Sequence, residues 1–313
     1  MNDSEIYISA FSQYSLVSSI FIMSLNLIGC IFQFFLRKDA MYQNNKSKFI
    51  SNIVLVVFEA AFITGAIFSL SNDSLAQCFG LSFLCISIVM FFLLIWSFIQ
   101  TRGIANCTME TLETLVGVIE AGDENLDGHS LHVQNLTMLI YDYLPIFYRA
   151  KINPVNLQYA SLLLDVGKLG IPREIIDKKG KLLPRERELV QKHPEICAEI
   201  FEHIPSFKTV TKWVKFHHER VDGNGYYHLK GDEIPLASRI LALADTYSAI
   251  TMDRSYRASL PYENAISELR LVAGSQLDSE LVEIFCSIPK RKISACVLDV
   301  RERMKKYKIG TFR

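Results

Sequence analysis

Three long apolar runs in the first hundred residues constrain the fold of this chain more than any other feature of its sequence. They cover Ser15–Leu36, Phe49–Leu70 and about Ala76–Ile99, and each is more than twenty residues long. About 20 apolar residues in a helix cross a hydrocarbon core of about 30 Å. The sequence therefore predicts a membrane region over residues 1–100, with three transmembrane helices at about 15–36, 49–70 and 76–99.

The loops between these runs set the predicted orientation. Four basic residues lie between the first two runs, whereas residues 71–74, between the second and the third, contain none. Loops on the cytoplasmic side of a membrane are enriched in lysine and arginine. We therefore expect a multi-pass protein of a bacterial inner membrane, with its amino terminus outside and everything after Arg102 in the cytoplasm.

Beyond residue 100 the pattern changes to that of amphipathic helices. Apolar residues recur every three or four positions over residues 108–121 and 185–204, prolines divide the remainder into helix-length pieces, and strand-like alternation is scarce. The pattern predicts an all-α domain over residues 101–289. A basic segment over residues 290–313 follows, and it is expected either to lie on the anionic inner leaflet or to be a solvated, partly frayed end.

Charge and cysteine content argue against two classes of protein. The 33 basic residues balance the 33 acidic ones, so nothing favours a nucleic-acid polymer as a partner. The seven cysteines are widely spaced and form no CxxC pair, which does not suggest a disulfide framework; we expect small buried side chains in a reducing compartment.

The most informative stretch for function is residues 217–227, His-His-Glu-Arg-Val-Asp-Gly-Asn-Gly-Tyr-Tyr. Neutral imidazole is a common ligand of transition metals. Neighbours on a straight helix point about 100° apart, so His217 and His218 reach one ion only near a helix end or a bend. The glycines that follow supply such a break.

Two aspartates stand in apolar helical contexts. Asp165 follows three leucines, and Asp245 ends the run Ile240-Leu241-Ala242-Leu243-Ala244. An aspartate in such surroundings is paired or bound to a metal. Alone, each is better explained by a core ion pair; together with the two histidines they suggest a mixed nitrogen and oxygen metal site.

In order and spacing, these stretches resemble the HD-GYP branch of the HD-domain phosphohydrolases. The resemblance extends over about 150 residues of the second half of the chain, and its segments are 128–130, 164–172, 193–194, 217–227, 234–241, 244–245 and 253–257. It implies an all-helical domain that hydrolyses the bacterial messenger cyclic di-GMP to pGpG or GMP at two divalent transition-metal ions, iron or manganese.

Carried over position by position, the resemblance implies a set of site residues. The implied metal ligands are His129, Asp165, His193, His217, His218 and Asp245. Asp165 and Lys168 are implied to be catalytic, and the implied substrate contacts are Lys168, Tyr226, Arg254 and Arg257. His132, His203 and His228 match no ligand position and are expected to be surface or packing residues.

Three positions depart from the family pattern. Leu164 replaces the histidine of the His-Asp pair and cannot bind a metal, which predicts one weakened metal site. Tyr227 replaces the signature proline, and Asn125 stands where three-metal members have a glutamate, so two metals are expected rather than three.

Four hypotheses for function therefore remain open. The first is a membrane-anchored cyclic di-GMP phosphodiesterase, impaired to some degree by Leu164. The second is an inactive module that binds a nucleotide or a protein partner, and the third is a hydrolase of another phosphodiester. The fourth is a helical core in which these residues only pack. A helical seam could also join two copies, although a core-facing helix explains the same spacing; its residues are Ile104, Met109, Leu112, Leu115 and Ile119.

Overall fold

A computed structural model describes residues 107–121, 128–178, 180–252 and 259–308, together with the helical positions 89, 92, 96 and 100. The three predicted transmembrane helices, apart from positions 89, 92 and 96, lie outside the described residues. Among the residues that are described, no helix has both the length and the apolar character needed to cross a membrane. Residues 107–313 cluster as one compact unit, and it is this unit that carries the predicted site.

The described part of this unit is helical, which confirms the predicted all-α class. Its only β-structure is an isolated bridge between Ala273 and Leu277. The α-helices are α1 (107–121), α2 (His129–Tyr143), α3 (Ile146–Arg149), α4 (Pro154–Leu163), α5 (Arg173–Ile176), α6 (Pro184–Gln191), α7 (His193–Ile200), α8 (Lys208–Lys215), α9 (Leu236–Thr251), α10 (Tyr262–Val272), α11 (Ser279–Ser287) and α12 (Lys290–Lys308). Short 3-10 helices cover Val166–Gly170, Pro205–Phe207 and Gly231–Glu233.

Helix α2 lies at the centre of the unit. It packs against α4, α9 and α12, and its buried residues include Leu131, Leu136 and Ile140, all fully inaccessible to solvent. Polar side chains on α2 are buried too, among them His129 and His132. A buried polar group is costly unless it is paired, and the structure supplies partners for both ring nitrogens of His129 and for Nδ1 of His132.

Local sequence signals fix where several helices begin. Asn153 caps α4: its side-chain oxygen accepts hydrogen bonds from the backbone N–H groups of Val155 (2.9 Å) and Asn156 (3.2 Å). Pro154 occupies the first helical position, where a missing N–H has no cost. Helix α4 therefore starts at a defined residue and delivers its carboxyl end, with Leu164 and Asp165, to the interior.

The basic segment after residue 289 packs onto the unit instead of forming a frayed end. Its residues Ile293, Val300 and Met304 are buried, and helix α12 packs against α2. This spacing of three and four residues is that of a core-facing helix stripe. The described part of the segment is therefore a terminal helix of the domain.

Surface exposure differs along α1 and among the cysteines. On α1, Met109 is buried, whereas Leu115 is exposed.

Of the four described cysteines, Cys197 and Cys296 are buried, Cys286 is partly buried and Cys107 is exposed. The expectation of small buried side chains thus holds for two of these four residues.

Candidate metal centre

Two adjacent histidines follow the end of α8, where the sequence predicted a break. Helix α8 ends at Lys215, and the backbone N–H of His217 still reaches the carbonyl of Val214 at 3.2 Å. The chain then turns away from the helix axis, so the rings of His217 and His218 lie side by side with centroids 3.9 Å apart. The end of the helix thus allows both neighbours to face one point.

A third histidine, at the start of α7, completes the cluster. The ring centroid of His193 lies 5.4 Å from that of His217 and 5.0 Å from that of His218. Each of the three rings offers one nitrogen, and these nitrogens lie within 4.8 Å of one another. Ligand atoms that share one ion at about 2.0–2.2 Å are typically about 3–4 Å apart, so the spacing is close to that of a coordination sphere.

The hydrogen bonds of two of these rings fix which nitrogen faces the cluster. Nδ1 of His193 donates to the carbonyl of Val190 at 2.7 Å, and Nδ1 of His217 donates to the carbonyl of Val214 at 2.6 Å. A carbonyl oxygen only accepts, so each Nδ1 carries the hydrogen and each Nε2 keeps its lone pair. Both Nε2 atoms are buried and have no hydrogen-bond partner. Buried, unpaired lone pairs aimed at one region are what a metal ion requires of its ligands.

Burial keeps the three rings neutral. It lowers the pKa of His193 to about 4, although the neighbouring Asp165 acts in the opposite direction. Burial also lowers the pKa of His217, and burial together with the His217 ring lowers the pKa of His218 well below its usual value. Near pH 7 the cluster therefore offers lone pairs rather than N–H⁺ groups, and protons do not compete with a metal there.

Asp165 links this histidine cluster to a second group of ligand candidates. One of its carboxylate oxygens lies 3.6 Å from Nε2 of His193 and the other lies 3.6 Å from Nε2 of His129. The Lys168 ammonium, three residues later, donates to the same carboxylate at 2.7 Å. Burial by itself would raise the pKa of Asp165, but Lys168 and the two histidines outweigh it and hold the pKa well below its usual range.

His129 and Asp245 form the other side of the site. His129 is the first residue of α2, and Asp245 comes from the middle of α9. Nε2 of His129 lies 3.0 Å from a carboxylate oxygen of Asp245, and Nδ1 lies 2.9 Å from the hydroxyl of Ser248. Burial by itself would raise the pKa of Asp245, but the hydrogen bond with His129 opposes it and keeps the pKa low. All six predicted ligands thus fall in one region, with Asp165 between the two groups.

Leu164 precedes Asp165 at the carboxyl end of α4. Its side chain is fully buried, and it offers no ligand atom. The group formed by His129, Asp165 and Asp245 therefore has three candidate protein ligands, whereas the group formed by Asp165 and the three clustered histidines has four.

The loop after the histidine pair is held by Glu219, a residue that the sequence analysis did not single out. Glu219 is buried, and its two carboxylate oxygens accept hydrogen bonds at 2.6 Å from the backbone N–H groups of Tyr227 and Leu229. Tyr226 lies next to the site, with its ring centroid 4.8 Å from that of His218. Burial raises the pKa of Tyr226, so its phenol stays protonated and can donate a hydrogen bond.

The same contacts explain the departure at Tyr227. A proline at this position has no N–H and would leave Glu219 without one of its two donors. The Tyr227 ring instead packs edge-on against Phe216, at a centroid distance of 5.5 Å.

A cavity of about 320 Å³ lies beside the histidine pair. Its lining includes His217, His218, Asp245, Arg220 and Gln276. A smaller cavity of about 90 Å³ lies on the Asp165 side and includes Lys168 and Glu120 in its lining. A larger ligand therefore has room next to the histidine pair.

Glu120 and Ser248 are two further polar residues that the sequence pattern did not reveal. The buried Glu120 carboxylate accepts from the backbone N–H of Ser130 at 2.9 Å and so caps the start of α2, beside His129. Both residues lie in apolar helical stretches, where one polar residue gives no signal of its partner. Arg254, Arg257 and Asn125, which the resemblance singled out, lie outside the described residues.

Part of the chain matches a known protein family. Residues 150–281 match the family described as "HD domain". The chain is 35% identical over 174 residues to "3'3'-cGAMP-specific phosphodiesterase 3" of Vibrio cholerae, which corresponds to 55% of this chain and 37% of that protein.

Two relatives carry a different substrate in their names. The chain is 32% identical over 207 residues to a "Cyclic di-GMP phosphodiesterase" of Vibrio cholerae, covering 62% of this chain and 41% of that protein. It is also 32% identical over 199 residues to a "Cyclic di-GMP phosphodiesterase" of Thermotoga maritima, covering 63% of this chain and 52% of that protein. The chain thus spans about half, or less, of the length of these relatives.

Proposed function

We propose that this chain is an HD-GYP member of the HD-domain proteins and that it is a metal-dependent phosphodiesterase that hydrolyses a cyclic dinucleotide. One observation carries the proposal: His193 and His217 hold buried Nε2 lone pairs, without partners, beside His218 and Asp165. An unpaired buried polar atom costs about 1–3 kcal/mol, and a metal ion bound by both nitrogens would offset that cost.

The residues that would hold the ions form two groups that share Asp165. His193, His217, His218 and Asp165 would hold one divalent ion, and His129, Asp165 and Asp245 the other. A mixed nitrogen and oxygen donor set suits iron or manganese. When bound, such a pair of ions supplies charge stabilisation for the phosphate and lowers the pKa of a water molecule. We propose that the second site binds more weakly, because Leu164 supplies no ligand.

Other residues of the chain would bind and orient the substrate. The Lys168 side chain is about a quarter exposed, so its ammonium can contact a phosphate while it remains next to Asp165. The protonated Tyr226 phenol can donate a hydrogen bond beside His218. Arg254 and Arg257 are proposed to hold the phosphates, on the strength of the family pattern and of the fit between guanidinium and phosphate.

Cyclic di-GMP is the first substrate to test, with pGpG or GMP as the product. Relatives named for cyclic di-GMP and for 3'3'-cGAMP lie at similar identity, 32% and 35%, so both dinucleotides belong in the assay. We further propose that three transmembrane helices anchor the domain at the cytoplasmic face of a bacterial inner membrane, and that two copies associate. The sequence patterns alone support this arrangement.

A second candidate function follows from Leu164. A fully buried leucine beside Asp165 removes one ligand, and the loss of partners around a metal site typically costs about 10–100-fold in metal affinity or activity. The chain could then bind a cyclic dinucleotide, or a protein partner, without hydrolysing it.

Turnover and binding measured on the same sample separate these functions. The full-length protein, purified in detergent, is incubated with each dinucleotide and with Mn²⁺ or Fe²⁺, and the products are resolved by chromatography. We expect hydrolysis by the natural sequence and none by His193→Ala, with His203→Ala, an exposed histidine outside the cluster, as the matched control. Binding without turnover would favour the second function, and neither binding nor turnover would refute both.

A further inference from the structure

A single hydroxyl joins one candidate metal ligand to a histidine that lies outside the ligand set. The Ser248 hydroxyl lies 2.9 Å from Nδ1 of His129 and 3.0 Å from Nδ1 of His132. Ser248 and His132 are fully buried, and the three residues come from only two helices, α2 and α9.

The two hydrogen bonds that link His129, Ser248 and His132 can be arranged in two directions. In one, Nδ1–H of His129 donates to the Ser248 oxygen and the Ser248 O–H donates to Nδ1 of His132. In the other, both hydrogen bonds are reversed, and the hydrogen of His129 sits on Nε2, where it faces Asp245 at 3.0 Å. Each arrangement contains the same three hydrogens, pairs both Nδ1 atoms, has no net charge and leaves the buried Nε2 of His132 without a hydrogen-bond partner.

Only the first direction frees His129 for a metal, because its Nε2 then carries a lone pair. His193 and His217 reach this state by donating to backbone carbonyls, which cannot reverse the hydrogen bond. A hydroxyl can donate or accept, so Ser248 alone does not select the tautomer of His129. The group beyond the hydroxyl therefore decides the direction.

His132 has the properties of that deciding group. Burial lowers its pKa to about 3, so the ring is neutral and one of its nitrogens is an acceptor. The alternative acceptor for the hydroxyl is the sulfur of Met252 at 3.4 Å, and a thioether sulfur accepts a hydrogen bond more weakly than a ring nitrogen. The hydroxyl therefore donates to His132 when His129 donates to the hydroxyl.

We propose that Ser248 and His132 are positioning residues that set the tautomer of His129 and thereby control metal binding at the site that lacks a ligand at Leu164. The inference rests on the proposed metal-dependent function. It adds that metal uptake at His129 shifts the hydrogen of His132 from Nδ1 to Nε2, although His132 does not contact the ion. The exchange is balanced, since one hydrogen leaves Nε2 of His129 and one arrives on Nε2 of His132.

A metal titration with a matched control tests the role of the hydroxyl. Full-length protein stripped of metal is titrated with Mn²⁺, and free Mn²⁺ is followed by electron paramagnetic resonance. Ser248→Ala should weaken the weaker of two sites by about 10–100-fold and leave the tighter one unchanged. Ser238→Ala is the control, because Ser238 is an equally buried serine on α9 whose hydroxyl donates only to the carbonyl of Trp213, at 2.8 Å. Equal affinities in the two variants would overturn the proposal.

The tautomers provide a second readout, which a merely structural role would not change. In ¹⁵N-histidine-labelled protein, nuclear magnetic resonance reports which ring nitrogen carries the hydrogen. Zn²⁺ should convert Nε2 of His132 from the unprotonated to the protonated type in the natural sequence, and should not do so in Ser248→Ala. If zinc shifted the signals of His193 and His217 but left that of His132 unchanged, the proposed role of Ser248 and His132 would be refuted, whereas the metal-dependent function would not. The absence of zinc-dependent shifts at all of these rings would overturn the metal-dependent function as well.

Discussion

Gly167 is the position where one added carbon atom should do most damage to this site. Gly167 lies in the 3-10 turn after Asp165, and this turn packs against α7, the helix that begins with His193. A Cβ atom built on Gly167 would lie 1.9 Å from the carbonyl oxygen of His193 and 2.8 Å from the backbone nitrogen of Cys197. Both atoms belong to the backbone, so no side-chain rotation can relieve the contact.

The displacement that Gly167→Ala requires follows from these distances. Cβ contacts shorter than 3.0 Å essentially do not occur, so the turn and α7 must separate by about 1.1 Å, the difference between 3.0 and 1.9 Å. The same movement separates Asp165 from His193, whose ligand atoms are now 3.6 Å apart. A misplacement of about 1 Å can cost about 10²-fold in activity. Overpacking typically costs about 1–3 kcal/mol, and we expect the upper end here because only backbone can move.

Calorimetry and metal titration measure these two effects. A loss of about 3 kcal/mol should lower the melting temperature of a domain of this size by about 6–12 °C. Gly170→Ala is the matched control, because its Cβ would meet only the side chain of Ile196, at 2.9 Å, and that side chain can rotate. If Gly167→Ala melted within about 2 °C of the natural protein and kept its metal affinity, the close contact between the turn and α7 would not be needed to position Asp165 and His193.

Three further predictions concern the missing ligand, the signature loop and pH. Leu164→His should raise metal content at the weaker site by about 10-fold or more, measured by elemental analysis of dialysed protein. Glu219→Gln should increase hydrogen exchange at the amide of Tyr227 and weaken dinucleotide binding, because an amide has one acceptor oxygen where two backbone donors now point. The pKa of Glu120 is raised from 4.5 to about 7, mainly by burial, so the folded state holds the proton more tightly and stability is lost as pH rises from 4.5 to 7. The natural protein should therefore lose about 3 kcal/mol of its free energy of unfolding across this range, and Glu120→Gln should not show this loss. Denaturant unfolding at several pH values measures both.

Each of these changes has an outcome that would contradict it. Leu164→Met controls for the change in volume, and equal metal content in both variants would mean that the position does not face the site. Unchanged amide exchange at Tyr227 in Glu219→Gln would show that the carboxylate does not hold the loop. A Glu120→Gln protein whose stability falls with pH as steeply as that of the natural sequence would place the titrating group elsewhere.

The sequence alone determined the helical class of the described domain and the six ligand candidates of the site. Proline punctuation and apolar spacing of three and four are local properties, so they are visible without a structure. The six ligand candidates were visible because residues that bind metal are few in type and recur in a family pattern. The irregular loop after His217 and His218 was also predictable, because glycine marks irregular backbone, although the helix itself already ends at Lys215.

The tertiary structure decided which buried polar groups meet. His129 lies 116 residues from Asp245 and 119 residues from Ser248 in the chain, and no local pattern records such a contact. His132 was expected to be an ordinary surface or packing residue, and the sequence analysis assigned no role to Glu219, which follows the two histidines. The apolar stripe of α12 fits a membrane surface or a protein core equally well, and only packing against α2 selects the core. Periodicity shows that a side chain is buried, but the identity of its partner depends on how distant segments are brought together.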